Sequence, residues 1–409
     1  MTNDIGVPLL TADQIAVELM AKRLLGDLSL QSEIAEIGRE FREKIPHGPR
    51  TAQRFEHDYR QTVFNALLGV ANSDSGRPRV HAVNLFPHRI GDLEIPGTRA
   101  LHSNPDYVYR FVPVDGAGRY VLRGERPVSG PLAFEISLMG EGQATLANLS
   151  LSDLVIAPDG TFAVTIDPDD PNGRPNHLQS RPGARQLVIR DIFDRIETQR
   201  PMALAAERLD PPAGNAPTFA ELAASAGPAI RGVVNGLAGM GMVLKAPPNT
   251  LPQPAFSNQN GTLMTQAYSI GHFRLADDEG LLIRMTLGTA VYAVVPVTNF
   301  WGGVGDFLNH RTSVGTPRAE MDPDGAYTFV VSPRDPGIFN WVDTNGLDEG
   351  IICARWVGFR DELGPKPAIE ARVMRVVELA AELPPGTPRC SPEQRQAQLA
   401  AHLRDYSAW

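Results

Sequence analysis

Two stretches of this chain resemble each other, and this repetition constrains the fold more than any other feature. Residues 157–193 and 322–359 align at an offset of 165 over most of their length, so that Asp159-Gly160 meets Asp324-Gly325 and Arg190 meets Arg355. Repetition on this scale predicts two similar β-modules that share one seam, where ligand sites tend to collect. Glycine adopts a positive φ at little cost, so both Asp-Gly pairs are predicted to form hairpin turns.

The similarity continues upstream of these stretches. Tyr120 aligns with Leu281 inside two short apolar runs, and Ala133 aligns with Val294 inside two longer ones. The copies then span roughly residues 115–195 and 277–360.

Composition excludes several classes of protein. The 409 residues are 42% hydrophobic and 21% charged, which is ordinary for a globular protein. A net charge of −9 without a basic stripe argues against a nucleic-acid partner. Two cysteines exclude a disulfide framework. Because no apolar run reaches the length of a membrane span, and the first residues lack the pattern of a secretory signal, we expect no membrane span and a cytoplasmic location.

No cofactor and no metal are expected from the motifs. The chain has no glycine-rich dinucleotide or phosphate loop, and no nucleophile elbow. His81, His88 and His102 are too widely spaced for a local metal motif, and no pair of cysteines is separated by two residues.

Hydrophobic periodicity predicts the order of elements. Apolar residues from Phe55 to Val70 recur every three or four positions, as in a helix, whereas from about residue 78 the period changes to two, as in strands. Residues 369–381 and 392–406 are predicted to be helical. The predicted fold class is a β-rich α+β protein with two duplicated antiparallel β-sandwich-like modules and helical N- and C-terminal segments. Its segments are an N-terminal helical segment (1–75), a first β-module (78–210), a linker and inter-module helix (211–262), a second β-module (263–360) and a C-terminal helical tail (361–409).

The second module also resembles a known family. Its sequence contains HFRLADDEGLLIR, then VVPVTNFWGG, then PDGAYTFVVSPRDPGIFNWVDTNGLDEGIICARWVGF. With these motifs, residues of about 265–360 resemble a bacterial domain of unknown function, number twelve-fourteen. The segment HSNPDYVYR at 102–110 is similar to the one that precedes such domains. The resemblance implies a β-sandwich and carries no assigned reaction.

The first group of candidate site residues lies in this HSNPDYVYR segment. His102, Asp106 and Tyr107 are predicted to be catalytic, because imidazole and carboxylate groups exchange protons and a tyrosine hydroxyl can donate to an oxyanion. Tyr109 and Arg110 are predicted to bind the ligand. The alternative is an Asn-Pro-Asp turn that leads into an ordinary strand.

Further candidates follow strands of the second module. Asp343 is predicted to be catalytic, and the glycine-rich run after Trp301 predicts a bend where backbone or ligand comes close. Asn176-His177 aligns with Asn340-Trp341 if one residue is skipped, which favours a structural asparagine and a specialised His177. These loops could equally be plain connections and caps. The predicted ligand-binding residues here are His177, Asn299, Trp301, His310, Asn340 and Trp341.

Three functions are compatible with these features. The first is a cytoplasmic enzyme that acts on a largely apolar, oxygenated small molecule of lipid, steroid or terpenoid type. It would use cofactor-free acid–base chemistry for dehydration, isomerisation or hydrolysis. The second is a non-catalytic β-sandwich that binds a small molecule or carbohydrate, by analogy at the level of the fold. The third is an assembly protein whose helical ends form a homo-oligomer.

Overall fold

The structure is a computed structural model, and it describes residues 9–99, 101–212, 214–257, 262–361 and 363–407. The other residues of the predicted terminal segments and linker, including Ala213 and residues 258–261, lie outside the described ranges. Sheets dominate the described chain, and helices lie mainly before the first module and at the C-terminal end. The predicted fold class is therefore confirmed.

The first module is built from two sheets, of five and four strands. Their orders are β1-β4-β10-β6-β7 and β11-β5-β8-β9, and β2 and β3 form a separate small hairpin. The strands are β1 (His81–Val83), β2 (His88–Ile90), β3 (Leu93–Ile95), β4 (Tyr107–Pro113), β5 (Tyr120–Glu125), β6 (Ala133–Gly140), β7 (Thr145–Ser150), β8 (Thr161–Asp167), β9 (His177–Gln179), β10 (Ala184–Ile192) and β11 (Ala203–Arg208).

The second module repeats this arrangement strand for strand. Its sheets have the orders β12-β13-β19-β15-β16 and β18-β17-β14-β20. In both modules one short strand pairs in parallel, β9 with β8 and β18 with β17. The strands are β12 (Ala255–Phe256), β13 (Gln266–Arg274), β14 (Glu279–Thr286), β15 (Tyr292–Thr298), β16 (Ser313–Gly315), β17 (Tyr327–Ser332), β18 (Trp341–Asp343), β19 (Glu349–Val357) and β20 (Ala368–Arg375).

Helices cover one side of the paired modules. Helices α1, α2, α3 and α4 share a core with Phe300, Trp301 and Ile351 of the second module. The predicted inter-module helix is present as α4, although its apolar side packs on the N-terminal helices. The helices are α1 (Ala12–Leu25), α2 (Gln31–Lys44), α3 (Pro49–Ala71), α4 (Phe219–Gly239), α5 (Leu379–Glu382) and α6 (Pro392–Tyr406).

Each sandwich has its own apolar core, and the two five-stranded sheets meet along a seam. Inward residues of both sheets fill the first core, such as Ile189 of β10 against Leu122 of β5. The opposite faces of the five-stranded sheets contribute Tyr107 and Ile192 from one module and Tyr292 from the other to a single cluster. Alternation of side chains along each strand thus separates the core from the seam.

Matching side-chain contacts support the alignment of Asn176 with Asn340. The Asn176 side chain accepts from the backbone N–H of Val155 (2.8 Å) and donates to its carbonyl (2.7 Å). Asn340 forms the same pair of bonds with Glu320, at 2.8 and 2.7 Å. Both asparagines hold the loop that runs before the four-stranded sheet.

Three expectations differ from the structure. Residues 369–375 of the predicted helix 369–381 lie in β20, because their alternating side chains complete the second four-stranded sheet. The Asp-Gly turns are tight, and the N–H groups of Ala157 and Asp322 donate across them to the carbonyls of Thr161 and Ala326, but each turn joins a loop to a strand, and that strand forms its ladder with β5 or β14. The residue of the second module that is equivalent to Ala133 is Tyr292 rather than Val294. Ala133 lies opposite Ile192 in the first module, and Tyr292 lies opposite the equivalent residue, Val357, in the second.

Gly325 provides a test of the turn geometry. Its φ is +88°, and nothing lies within 4 Å of where a Cβ would be, so Gly325→Ala should cost only backbone strain. We expect a loss of about 1–2 kcal/mol in the free energy of unfolding, measured by urea denaturation. Gly236→Ala is the matched control, because this exposed glycine of α4 also has open space around it, and alanine favours a helix by up to about 1 kcal/mol. Equal effects of the two substitutions would contradict the assigned turn.

Candidate functional site

Asp106 joins three distant parts of the chain. Its carboxylate accepts from the hydroxyl of Tyr292 (2.7 Å), from the guanidinium of Arg318 (2.7 Å) and from the hydroxyl of Tyr406. Burial raises the pKa of both tyrosine hydroxyls, so they stay protonated and donate. Asp106 is fully buried. Every one of these contacts is made to protein, so this carboxylate is used to hold the seam and the C-terminal helix together.

His102, Tyr107 and Tyr109 lie at the seam close to Arg355. The His102 ring bonds to Thr298 Oγ1 (2.6 Å), and burial, helped by the charge of Arg355, lowers the pKa of His102 to about 4. Tyr107 donates to Gln266 Oε1 (3.2 Å), whereas the Tyr109 hydroxyl accepts from Arg355 (3.1 Å). The imidazole of His102 is therefore neutral near pH 7.

Four other predicted site residues have partners within the fold. Arg110 forms a buried ion pair with Asp191, and His177 bonds to Thr165 Oγ1 (3.0 Å). Asn340 holds its loop as described above. Trp341 donates to the Ser332 carbonyl (3.1 Å) and lies under Arg395 of α6.

Trp301 packs among the helices, in a core to which Tyr109 contributes only from its edge and Tyr107 and Trp341 do not belong. Its ring lies 4.9 Å from that of Phe55 and 5.5 Å from that of Phe41, and its indole N–H donates to the Thr51 carbonyl (2.8 Å). The structure therefore does not bring Tyr107, Tyr109, Trp301 and Trp341 into one pocket.

The loop after Trp301 approaches two polar side chains closely. A Cβ on Gly303 would lie 2.5 Å from the Asp58 carboxylate, and one on Gly305 would lie 2.8 Å from Asn345 Oδ1. Asn299 Oδ1 accepts from the backbone N–H groups of Trp301 and Gly303 (both 3.0 Å) and closes the bend. The glycines let this loop bring Asp58 of α3 beside the loops of the second module.

His310 and Asp343 form a carboxylate–imidazole pair at the edge of this loop. His310 Nδ1 lies 2.7 Å from Asp343 Oδ2, and Asp343 Oδ1 accepts from the Asn345 N–H (2.8 Å). The Asp343 side chain is 7% exposed and the His310 side chain 36%. Hydrogen bonding to Asp343 raises the pKa of His310. His310 Nε2 has no hydrogen-bond partner in the described part of the chain, so this nitrogen is open to a substrate.

A second pair, on α3, lies beside the first. His57 Nδ1 is 3.0 Å from Asp58 Oδ1, which raises the pKa of His57, and Asn299 donates to the other oxygen of Asp58. The His57 side chain is 64% exposed, although Gln61 approaches its Nε2 to 3.3 Å. The positive charge of Arg54 partly opposes the rise in pKa at His57 and at His310, so Arg54 lies within electrostatic reach of both. We call Arg54, His57, Asp58, His310 and Asp343 the histidine cluster.

The histidine cluster combines predicted and unpredicted residues. His310, Asp343 and the neighbouring Asn299 are predicted from the sequence, whereas Arg54, His57 and Asp58 are not. In the sequence, the helix that carries them is recognised by its apolar stripe from Phe55 to Val70. The missed residues lie on the same helix but outside that stripe. The run Arg54-x-x-His57-Asp58 on one helix face is the signal that could have found them.

Grooves are found elsewhere on the surface. One of about 700 Å³ lies on the four-stranded sheet of the first module, beside Val155, Phe162 and Leu204, and another of about 430 Å³ lies beside Gln179 and Arg181. Neither is lined by a predicted site residue. Within the described ranges, no three His, Cys, Asp or Glu side chains are placed to hold a metal ion, and no helix is long and apolar enough to cross a membrane.

The His310–Asp343 pair predicts a pH-dependent stability. A pKa that is raised in the folded protein contributes stability that is fully present below the unfolded value, about 6.5, and is lost as the pH rises through the folded value. The difference in melting temperature between wild type and His310→Gln should therefore shrink between about pH 5.5 and pH 8. His81→Gln is a control of opposite sign, because burial lowers the pKa of His81 to about 4 and its contribution should fall on acidification. Parallel curves for the two variants would contradict this assignment.

Asp106 predicts a large effect on stability. Asp106→Asn leaves Arg318, whose side chain is 21% exposed, without its carboxylate, and breaking a largely buried pair costs about 3–5 kcal/mol. Tyr406→Phe removes the hydrogen bond donated to the carboxylate and the one accepted from Arg318 but keeps the ion pair, so it should cost about 1.5–3 kcal/mol. Urea denaturation measures both, and a smaller loss for Asp106→Asn than for Tyr406→Phe would contradict the proposed network.

Comparison with known proteins shows the fold and no activity. No family model matches the chain, and no curated protein matches it. An uncharacterized protein from Burkholderia cenocepacia has a similar structure, with 24% identity and a TM-score of 0.71 over 88% of this chain and 100% of that one. A protein from Vibrio parahaemolyticus has 13% identity and a TM-score of 0.42 over 66% of this chain and 90% of that one. The first similarity places this fold in a bacterial protein, and the second is too weak to argue from.

Proposed function

We propose that this protein is an enzyme that acts on an oxygenated small molecule by acid–base chemistry at the histidine cluster. The observation that carries the proposal is the 2.7 Å contact between Asp343 and His310 Nδ1 on a partly exposed imidazole whose Nε2 has no hydrogen-bond partner among the described residues. A carboxylate that orients an imidazole and stabilises its protonated form is the arrangement expected of a general acid–base residue.

The other members of the histidine cluster supply complementary roles. In a dehydration, neutral His310 takes a proton from a carbon next to a carbonyl group, so that the C–H bond breaks. Protonated His57 gives its proton to the leaving hydroxyl as the C–O bond breaks, and water departs. Arg54 stabilises negative charge that develops on the carbonyl oxygen. Proton abstraction and return by the same groups would serve an isomerisation, and activation of water by His310 would serve a hydrolysis.

The partner in this proposal is a small molecule, and the location is cytoplasmic, as the sequence predicts. Carbonyl and hydroxyl oxygens suit a cluster of arginine and histidine donors, whereas the lipid, steroid or terpenoid character of the substrate rests on the sequence prediction alone. We also propose that the two modules arose by internal duplication. The matched loop contacts of Asn176 and Asn340 support that origin.

The alternative, a non-catalytic protein that binds a small molecule or carbohydrate, has one observation in its favour. The groove of about 700 Å³ on the first module is open and lined by apolar side chains together with Arg123 and Glu125. It contains no imidazole, so binding there would not need the histidine cluster.

Three probes test the proposed reaction types: a β-hydroxy ketone for dehydration, a β,γ-unsaturated ketone for isomerisation and p-nitrophenyl acetate for hydrolysis. For the probe that is turned over, His310→Gln and Asp343→Asn should each lower kcat by roughly a hundred-fold, the usual contribution of a general acid–base residue. The free-enzyme limb of the pH profile of kcat/KM should follow the raised pKa of His310 and shift in Asp343→Asn.

His88→Gln is the matched control for these variants. His88 also pairs with a carboxylate, Glu18, at 3.0 Å, and that contact raises its pKa, but it lies outside the histidine cluster. Its kcat should match that of wild type. Turnover that persists unchanged in His310→Gln, or wild-type inertness toward all three probes, would contradict the enzyme proposal and favour the binding protein.

A further inference from the structure

A buried arginine at the seam has no acidic partner in the described chain. Arg355 Nη1 donates to the Tyr109 hydroxyl (3.1 Å) and Nη2 to the His102 carbonyl (3.3 Å), whereas Nε has no acceptor among the described residues. The residue is 8% exposed. A buried charge without a counter-charge is costly, so this position is expected to favour an anion.

Two tyrosine rings partly offset this charge. The guanidinium carbon of Arg355 lies 5.3 Å from the ring centre of Tyr107 and 6.0 Å from that of Tyr268. Cation–π contacts at such distances stabilise a cation, but they leave its N–H donors unused. The rings also present flat apolar surface next to the guanidinium.

Two further buried donors at the same place lack acceptors among the described residues. They are Gln266 Nε2 and Asn104 Nδ2. Gln266 Oε1 accepts from Tyr107 (3.2 Å) and Tyr268 (3.0 Å), so its amide nitrogen faces away from both hydroxyls. The Asn104 N–H donates to the Tyr109 hydroxyl (3.2 Å), which also receives Arg355. Buried polar groups are normally hydrogen-bonded, so three unused donors around shared tyrosines point to a missing acceptor.

The balance of charge sets the type of anion. Arg190, the equivalent of Arg355 in the first module, is opposed across the sheet by Glu135, and the charge of Arg190 lowers the pKa of Glu135 against the larger effect of burial. One positive charge, that of Arg355, is left over. A singly charged group with two oxygens, a carboxylate, matches one guanidinium and neighbouring amide donors better than a doubly charged phosphate does.

We propose that the seam is a binding site for the carboxylate of a small aromatic or apolar organic acid. Arg355 pairs with the carboxylate, Gln266 and Asn104 donate to it, and Tyr107 and Tyr268 contact the apolar part. This site is separate from the histidine cluster and does not depend on its activity. Because its residues are buried, the seam must open locally to admit the acid, so association is slow.

Benzoate and its neutral analogue benzamide test this proposal in the full-length protein. At constant ionic strength, benzoate should raise the melting temperature in a saturable way, since a ligand bound only by the folded state stabilises it. Benzamide should have no such effect. Arg355→Lys keeps the charge but loses the planar fork, and it should raise the Kd for benzoate by about thirty-fold or more.

Two further variants make the test specific. Arg208→Lys is the matched control, because Arg208 also lies 5.3 Å from a tyrosine ring centre but already pairs with Asp115 and Asp210, so its benzoate response should persist. Gln266→Glu places a carboxylate on the same sheet face as Arg355, and it should raise the melting temperature and abolish the response to benzoate.

Several results would overturn the proposal. These are equal shifts with benzoate and benzamide, equal responses of Arg355→Lys and Arg208→Lys, or a destabilised Gln266→Glu that still responds to benzoate. A larger shift with inorganic phosphate than with benzoate would overturn the assignment to a carboxylate. If Arg355→Lys does not fold, the comparison of the two probes on wild type and on Gln266→Glu decides the question.

Discussion

The fold depends on one buried carboxylate, that of Asp106. It lies in the turn before β4 of the first module, and its partners lie on β15 and after β16 of the second module and at the end of α6. The two sandwiches have cores of their own, and they meet through the outer faces of their five-stranded sheets and through backbone hydrogen bonds between loops, from His102 to Gly302 and from Val304 to Arg99. A charged, fully buried acceptor with three donors fixes their relative position, because any slippage would leave a buried charge unpaired.

The buried or partly buried arginines at the same seam differ in whether a carboxylate balances their charge. Arg318 has Asp106, and Arg190 has Glu135 across the sheet, whereas Arg355 has phenol and carbonyl oxygens and two ring faces. An ion pair accounts for Arg318, and a carboxylate within electrostatic reach accounts for Arg190. Neither accounts for Arg355, since a fold selected only for stability would place a carboxylate or an apolar residue there. This contrast within one interface is the reason to regard Arg355 as a binding residue.

Much of the fold could be predicted from the sequence because its signals are local. The change to period two at about residue 78 marks where the strands of the first module begin, and the positive φ of Gly160 and Gly325 follows from the Asp-Gly pairs. Residues 369–375 were misassigned because a strand with one exposed face can carry the Ala-, Glu- and Arg-rich composition of a helix. Only the neighbouring β14 decides between the two.

The candidate site was less predictable, because tertiary contacts decide which polar residues are free. Asp106 and Asp343 both follow turn-like sequences, yet one is enclosed by three donors and the other orients a half-exposed imidazole. Trp301 resembled a pocket residue and is instead a core residue, since α2 and α3 cover it. His57 was not predicted because the apolar residues of its helix dominate the sequence pattern. Because α3 and the loop after β15 are far apart in the sequence, no short stretch of residues shows that they meet.

The two modules differ where the histidine cluster lies, and this difference favours a function for that place. The strand register puts Gln179 opposite Asp167 in the first module and Asp343 opposite Ser332 in the second, so Gln179 occupies the position that corresponds to Asp343. The connection from β6 to β7 is short, whereas the one from β15 to β16 is long enough to carry both the glycine-rich bend and His310. Asn176 and Asn340, which hold the equivalent loops, are present in both modules. In the described chain, Gln179 stands in place of Asp343 and the short connection from β6 to β7 has no histidine, whereas in the second module Arg54 and His57 of α3 complete the cluster.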